Sequence, residues 1–82
     1  MADLIYPEDL AWEESPDGSK TAQIYVNGRR VRIEYYDENT TLSHSFYCVS
    51  VIEDNGCPSL RDVTFGNSIN ELNETIIRLT NA

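Results

Sequence analysis

Fourteen acidic and six basic side chains among 82 residues give a net charge of −8 and an isoelectric point near 4.3, the mark of one small acidic domain spanning residues 1–82. A chain this short buries only about 60–65% of its unfolded surface, so an apolar content of 40% supports one thin core and no deep enclosed pocket. The negative field argues against direct binding to nucleic acid or anionic membrane, and no apolar run is long enough to span a bilayer.

Residues 1–18 form an acidic N-terminal segment with six acids (Asp3, Glu8, Asp9, Glu13, Glu14 and Asp17) and no base. Leu4, Ile5, Tyr6, Leu10 and Trp12 are its apolar anchors. Pro7-Glu8-Asp9 suits a first helical turn, because proline needs no amide partner there and acids favour the positive helix end. A short strand through Leu10 and Trp12 is the alternative. Ser15-Pro16-Asp17-Gly18 then makes a turn.

The clearest element is a hairpin over residues 21–36. Two β-rich runs, 21–26 and 29–36, flank Asn27-Gly28, the dipeptide best suited to a two-residue type I′ turn. With Val26 opposite Arg29, Ile24 faces Val31 and Ala22 faces Ile33 on an apolar side. Tyr25 then faces Arg30, Gln23 faces Arg32 and Thr21 faces Glu34 on a polar side. Turn chemistry and alternation agree independently.

A polar loop, residues 37–41, leads to a long β-rich run over 44–53, in which Phe46, Tyr47, Val49, Val51 and Ile52 make both parities partly apolar. That pattern predicts a central strand covered on part of each face. Asp54-Asn55-Gly56 ends it, and a shorter strand follows at 60–65 with Pro58 near its start. Ser68-Ile69-Asn70-Glu71 reads as a capping box opening a helix over about 69–80. Ile69, Leu72, Ile76 and Leu79 form its apolar stripe, widened by Ile77, and Arg78 sits in the last turn. The fold class expected is α+β: a small antiparallel sheet of three to five strands, one face covered by a C-terminal helix.

Catalytic chemistry finds little support. His44 is the one histidine, and Cys48 and Cys57 do not have the spacing of a metal or redox pair. Along a strand, four residues place His44 and Cys48 about 13 Å apart, beyond nucleophile–base reach. Met1 is followed by Asp3 with neither a basic nor an apolar leader region, so the expected setting is a reducing cytoplasm with two free thiols. In that setting the sequons Asn39-Thr40-Thr41 and Asn73-Glu74-Thr75 carry no weight. No phosphate loop occurs. Adjacent acids such as Glu13/Glu14 and Asp37/Glu38 point to opposite faces of extended chain. No cofactor and no metal are expected.

Glu14-Ser15-Pro16-Asp17-Gly18-Ser19-Lys20 resembles a turn that recurs in β-propeller blades, though no second copy is present to build one. The short acidic α+β chain is also similar in composition to phage-encoded inhibitors such as anti-CRISPR proteins and DNA mimics. That resemblance implies an inhibitor that docks on a basic, nucleic-acid-binding surface of a larger protein or complex. The acids expected to carry such binding are Asp3, Glu8, Asp9, Glu13, Glu14, Asp37, Glu38, Glu53 and Asp54. Arg29-Arg30-Val31-Arg32 is the basic cluster, and Arg30 shares the outer hairpin face with Tyr25 and Tyr36. An Arg/Tyr face is the composition that protein interfaces favour, so the alternative is an adaptor or a homodimer using Tyr25, Arg30 and Tyr36.

Overall fold

The computed structural model describes residues 4–37, 45–65 and 68–81. Within them run five strands, β1 (Glu13–Glu14), β2 (Lys20–Val26), β3 (Arg29–Tyr36), β4 (Phe46–Ile52) and β5 (Pro58–Phe65), followed by helix α1 (Ile69–Thr80). All neighbours pair antiparallel in the order β1-β2-β3-β4-β5. The expected α+β class is therefore the observed one. Asp3, Glu38 and His44, and the first sequon, lie outside the described residues.

The N-terminal segment resolves its two alternatives in part. Pro7–Asp9 is a single 3-10 turn, its bonds running from the Asp9 amide to the Tyr6 carbonyl and from the Leu10 amide to that of Pro7. Leu10 is already extended, and the Trp12 indole donates to the Pro7 carbonyl at 2.7 Å, folding the chain back on itself. The strand in this region is Glu13–Glu14, beyond the expected Leu10 and Trp12. The next turn closes with the Asp17 carboxylate accepting from the Ser19 hydroxyl at 2.6 Å and from its amide at 2.9 Å. Those bonds hold the Asp17 carboxyl below its ordinary range.

The hairpin forms in the expected register, from Thr21 opposite Glu34 to Val26 opposite Arg29. Asn27 and Gly28 adopt φ of 53° and 76°, the pair of left-handed residues a type I′ turn requires. Strand β5 is longer than expected, beginning at Pro58, and its pairing with β4 shifts by one: Val51 opposes Leu60 while Ile52 opposes Pro58. Ser59 is the extra residue of this β-bulge.

The helix face of the sheet holds the core. Val31, Ile33, Tyr47, Val49 and Val51 meet Leu72, Ile76 and Leu79, and Ile5, Leu10, Trp12, Ile24, Val26, Tyr35 and Leu60 pack against that cluster. Tyr35 and Tyr47 meet with ring centroids 5.0 Å apart. The Ser68 hydroxyl accepts from the Glu71 amide at 3.3 Å, opening α1 as its sequence implies. Ile77 does not widen the buried stripe: it is exposed, and Asn73, Thr75 and Thr80 are buried instead. At 100° per residue, Ile77 lies beyond the margin of the buried arc that Asn73 and Thr80 mark, and so faces outward.

Candidate partner-binding surfaces

Strand parity divides the sheet into two chemically different faces. One packs on α1. The other is crossed by no element among the described residues. Along its rows the register places Tyr25, Arg30 and Ile52 together, then Gln23, Arg32, Ser50 and Arg61, then Thr21, Glu34, Cys48 and Val63, then Tyr36 and Phe46. On this face, crossed by no described element, Cys48, Ser50 and Ile52 are buried among longer side chains of the neighbouring strands.

Those long side chains are partly tethered. On β3, Arg32 Nε lies 3.6 Å from Glu34 Oε1, and the Tyr36 hydroxyl donates to Glu34 Oε2 at 2.7 Å. Glu34 thus sits between a cation and a phenol on one strand. Its charge and hydrogen bond push the Tyr36 hydroxyl up to about 12. The Tyr36 ring stacks on Phe46 with centroids 4.9 Å apart. Arg30 donates to the Glu53 carbonyl at 3.2 Å, and Arg61 Nε donates to the Cys48 sulfur at 2.9 Å. Tyr25 is the most prominent ring on this face, 75% exposed.

Of the three residues expected on the hairpin face, the structure sets Tyr25 and Arg30 directly opposite each other, while Tyr36 lies on the same face at the far end of β3, half-buried against Phe46. Sequence reasoning missed Arg61 and Ser50. Arg61 reaches this face because β5 pairs with β4, and a register set after a bulge cannot be read from alternation alone.

The acids expected to bind a partner occupy a different region. Glu8 and Asp9 lie on the 3-10 turn and Glu13 and Glu14 on the edge strand β1, and all four are exposed. Among the described residues the three ion pairs are Arg29–Glu53, Arg32–Glu34 and Arg78–Asp62; none includes these four, although Lys20 stands opposite Glu14 in the β1–β2 pairing. Glu53 and Asp54 stand apart from them, past the other end of the hairpin, where Glu53 lies 3.9 Å from an Arg29 nitrogen. Asp37 ends β3 and is half-buried. The seven described acids therefore do not converge on one patch; Glu8, Asp9, Glu13 and Glu14 are exposed within one stretch of chain.

Tyr25, Gly28, Arg29, Arg30, Val51, Ile52, Glu53 and Asp54 line an open groove of about 340 Å³ beside the hairpin turn. Cys48 is buried and Cys57 exposed, and both are free thiols. Among the described residues no cluster of histidine, cysteine and carboxylate side chains could hold a metal ion, and no helix is long and apolar enough to cross a membrane. Compared with protein-family models, curated proteins and solved structures, the chain matches none.

Proposed function

We propose that this chain is a protein-binding module without catalytic activity, and that it docks its acidic edge on a basic surface of a larger protein. What carries this reading is the set Glu8, Asp9, Glu13 and Glu14: four exposed carboxylates within one stretch of chain, none of them in an ion pair among the described residues. Charge held this way lowers no folding free energy, but it accelerates encounter with a cationic surface. A phosphate-binding cleft of a nucleic-acid-handling protein presents such a surface, and a domain seated there acts as an inhibitor.

Paired pull-downs from the source organism test this, with the wild-type chain and a Glu8→Lys/Asp9→Lys/Glu13→Lys/Glu14→Lys chain compared by mass spectrometry. A partner captured by the first and lost with the second is expected. Its affinity should fall steeply as salt rises from about 0.05 to 0.5 M, because screening shortens the reach of exposed charges. Equal capture by both chains, or a flat salt dependence, rejects the acidic edge as the binding surface.

A second reading rests on β2. Strand β1 pairs only with Lys20 and Thr21, leaving the rest of β2 at the margin of the sheet beside the exposed Tyr25. Such an edge can accept a strand from another copy. Sedimentation of wild type against Tyr25→Ala separates the two readings, since strand addition depends little on salt.

A further inference from the structure

The net charge of the chain conceals a basic face. Arg30, Arg32 and Arg61, half of the six cations, project from the open side of the sheet, where Glu34 stands among them and Glu13 at the β1 margin. With strands about 4.8 Å apart, Arg32 and Arg61 flank β4 at roughly 9–10 Å between α-carbons, and Arg30 lies about 6.7 Å from Arg32 along β3.

Between the two flanking arginines sits Ser50. It is fully buried, and its hydroxyl has no hydrogen-bond partner among the described residues. The Nε of Arg32 is likewise buried without one, since its 3.6 Å approach to Glu34 is too long. Buried polar atoms almost always have partners, so two orphans in one transverse row mark a place where acceptors and donors await a group from outside. Each guanidinium offers five N–H donors, and the bonds made within the fold leave most of them for such a group.

We propose that this face, centred on Arg32 with Ser50 and Arg61 beside it, docks along β3 an extended segment of a protein that presents carboxylates on alternate residues. Charge complementarity selects the carboxylates. Spacing selects the alternation: in an extended peptide, residues two apart point the same way and lie about 6.7 Å apart, the separation of Arg30 and Arg32. The exposed Tyr25, opposite Arg30 in the neighbouring row, supplies flat apolar contact for the intervening side chains. A polyphosphate chain fits less well. The basic area is bounded by Glu13 on the β1 side and by Glu53 and Asp54 beyond Arg30, so a long polyanion leaving the face meets carboxylates.

The site is separate from the acidic edge, and its test is independent of that reading. The probe is a synthetic hexapeptide alternating Glu and Thr, titrated into the isotope-labelled chain and followed by two-dimensional NMR. A peptide of the same composition with its glutamates adjacent, and a short oligothymidylate, serve as competitors. The alternating peptide should shift the amides of Arg32, Ser50 and Arg61 and bind more tightly than either competitor. Arg61→Glu, on the exposed edge strand, should weaken it by roughly tenfold or more, and Ser50→Ala by a smaller factor. Glu13→Lys with Glu14→Lys should leave binding equal or tighter. Shifts confined to Arg29 or Arg78, equal affinity for the competitors, tighter binding of the oligothymidylate, no effect of Arg61→Glu, or self-association replacing peptide binding would each overturn the proposal. A urea melt of every variant identifies loss of fold, and if Arg32→Glu fails to fold the Arg61 and Ser50 variants decide.

Discussion

The side chain of Asn73 holds the backbone of Ile5 at both of its polar atoms. Its Oδ1 accepts from the Ile5 amide at 2.7 Å, and its Nδ2 donates to the Ile5 carbonyl at 2.9 Å and to the Ile69 carbonyl at 2.9 Å. One buried amide, on the second turn of α1, therefore does for the N-terminal segment what a neighbouring strand would do. It secures the acidic edge to the helix.

Asn73→Ala should cost about 2–3 kcal/mol, because it removes these bonds and leaves half-buried backbone groups unsatisfied. Equilibrium urea denaturation measures the loss, and hydrogen exchange should show the Ile5 amide losing protection first. A change under about 0.5 kcal/mol would mean that water replaces the amide without penalty.

The helix offers a paired test at adjacent positions. Ile76 is 1% exposed within the core cluster, whereas Ile77 is 48% exposed. Ile76→Ala should destabilise by about 2–5 kcal/mol, and Ile77→Ala by no more than about 0.5 kcal/mol. Similar losses at both positions would mean that the helix rotates on the sheet.

Gly28 has φ of +76°, and a methyl group placed there would meet nothing within 4 Å. The expected cost of Gly28→Ala, about 1 kcal/mol, is thus conformational with no steric part. Thermal unfolding gives the figure. A stabilised variant would show that the turn accommodates another geometry.

Alkaline pH should act through Tyr36. Its hydroxyl is raised to about 12 by the hydrogen bond to Glu34, then by burial and by the charge of that carboxylate. An acid raised in the folded state binds its proton more tightly there than in the unfolded chain. The stabilisation is complete below about pH 10 and is lost as pH rises from about 10 to about 12. The wild-type minus Tyr36→Phe difference in tyrosinate absorbance should titrate near the upper value and move down toward the ordinary value in Glu34→Gln. A difference spectrum titrating near 10 in the wild type would exclude the bond.

The sequence made the hairpin legible because two signals coincide at Asn27-Gly28: a turn that demands positive φ and an alternation that puts Ala22, Ile24, Val31 and Ile33 on one side. The helix bounds were readable for a similar reason, with Ser68 and the apolar spacing agreeing. What escaped was set by packing. Asn73 looks like a surface residue until the chain returns to Ile5, 68 positions earlier, and periodicity holds no trace of that return. Arg61 joined the basic face through a strand pairing displaced by Ser59, which resets the side of every residue after it. Of the acids, the exposed group Glu8, Asp9, Glu13 and Glu14 could be read from the crowding of acids in residues 1–18. The isolation of Glu53 beside Arg29 depended on the far end of the hairpin.

Because Glu8, Asp9, Glu13 and Glu14 crowd the N-terminal segment and three guanidinium groups lie on the open face, the molecule has an electric moment as well as a net charge. An approaching charged body exerts torque on it before contact, turning one surface forward according to the visitor's sign. At physiological ionic strength that alignment acts only within the last 8 Å or so of approach. Two partners of opposite sign could therefore be received at once, each meeting a different side of the same sheet.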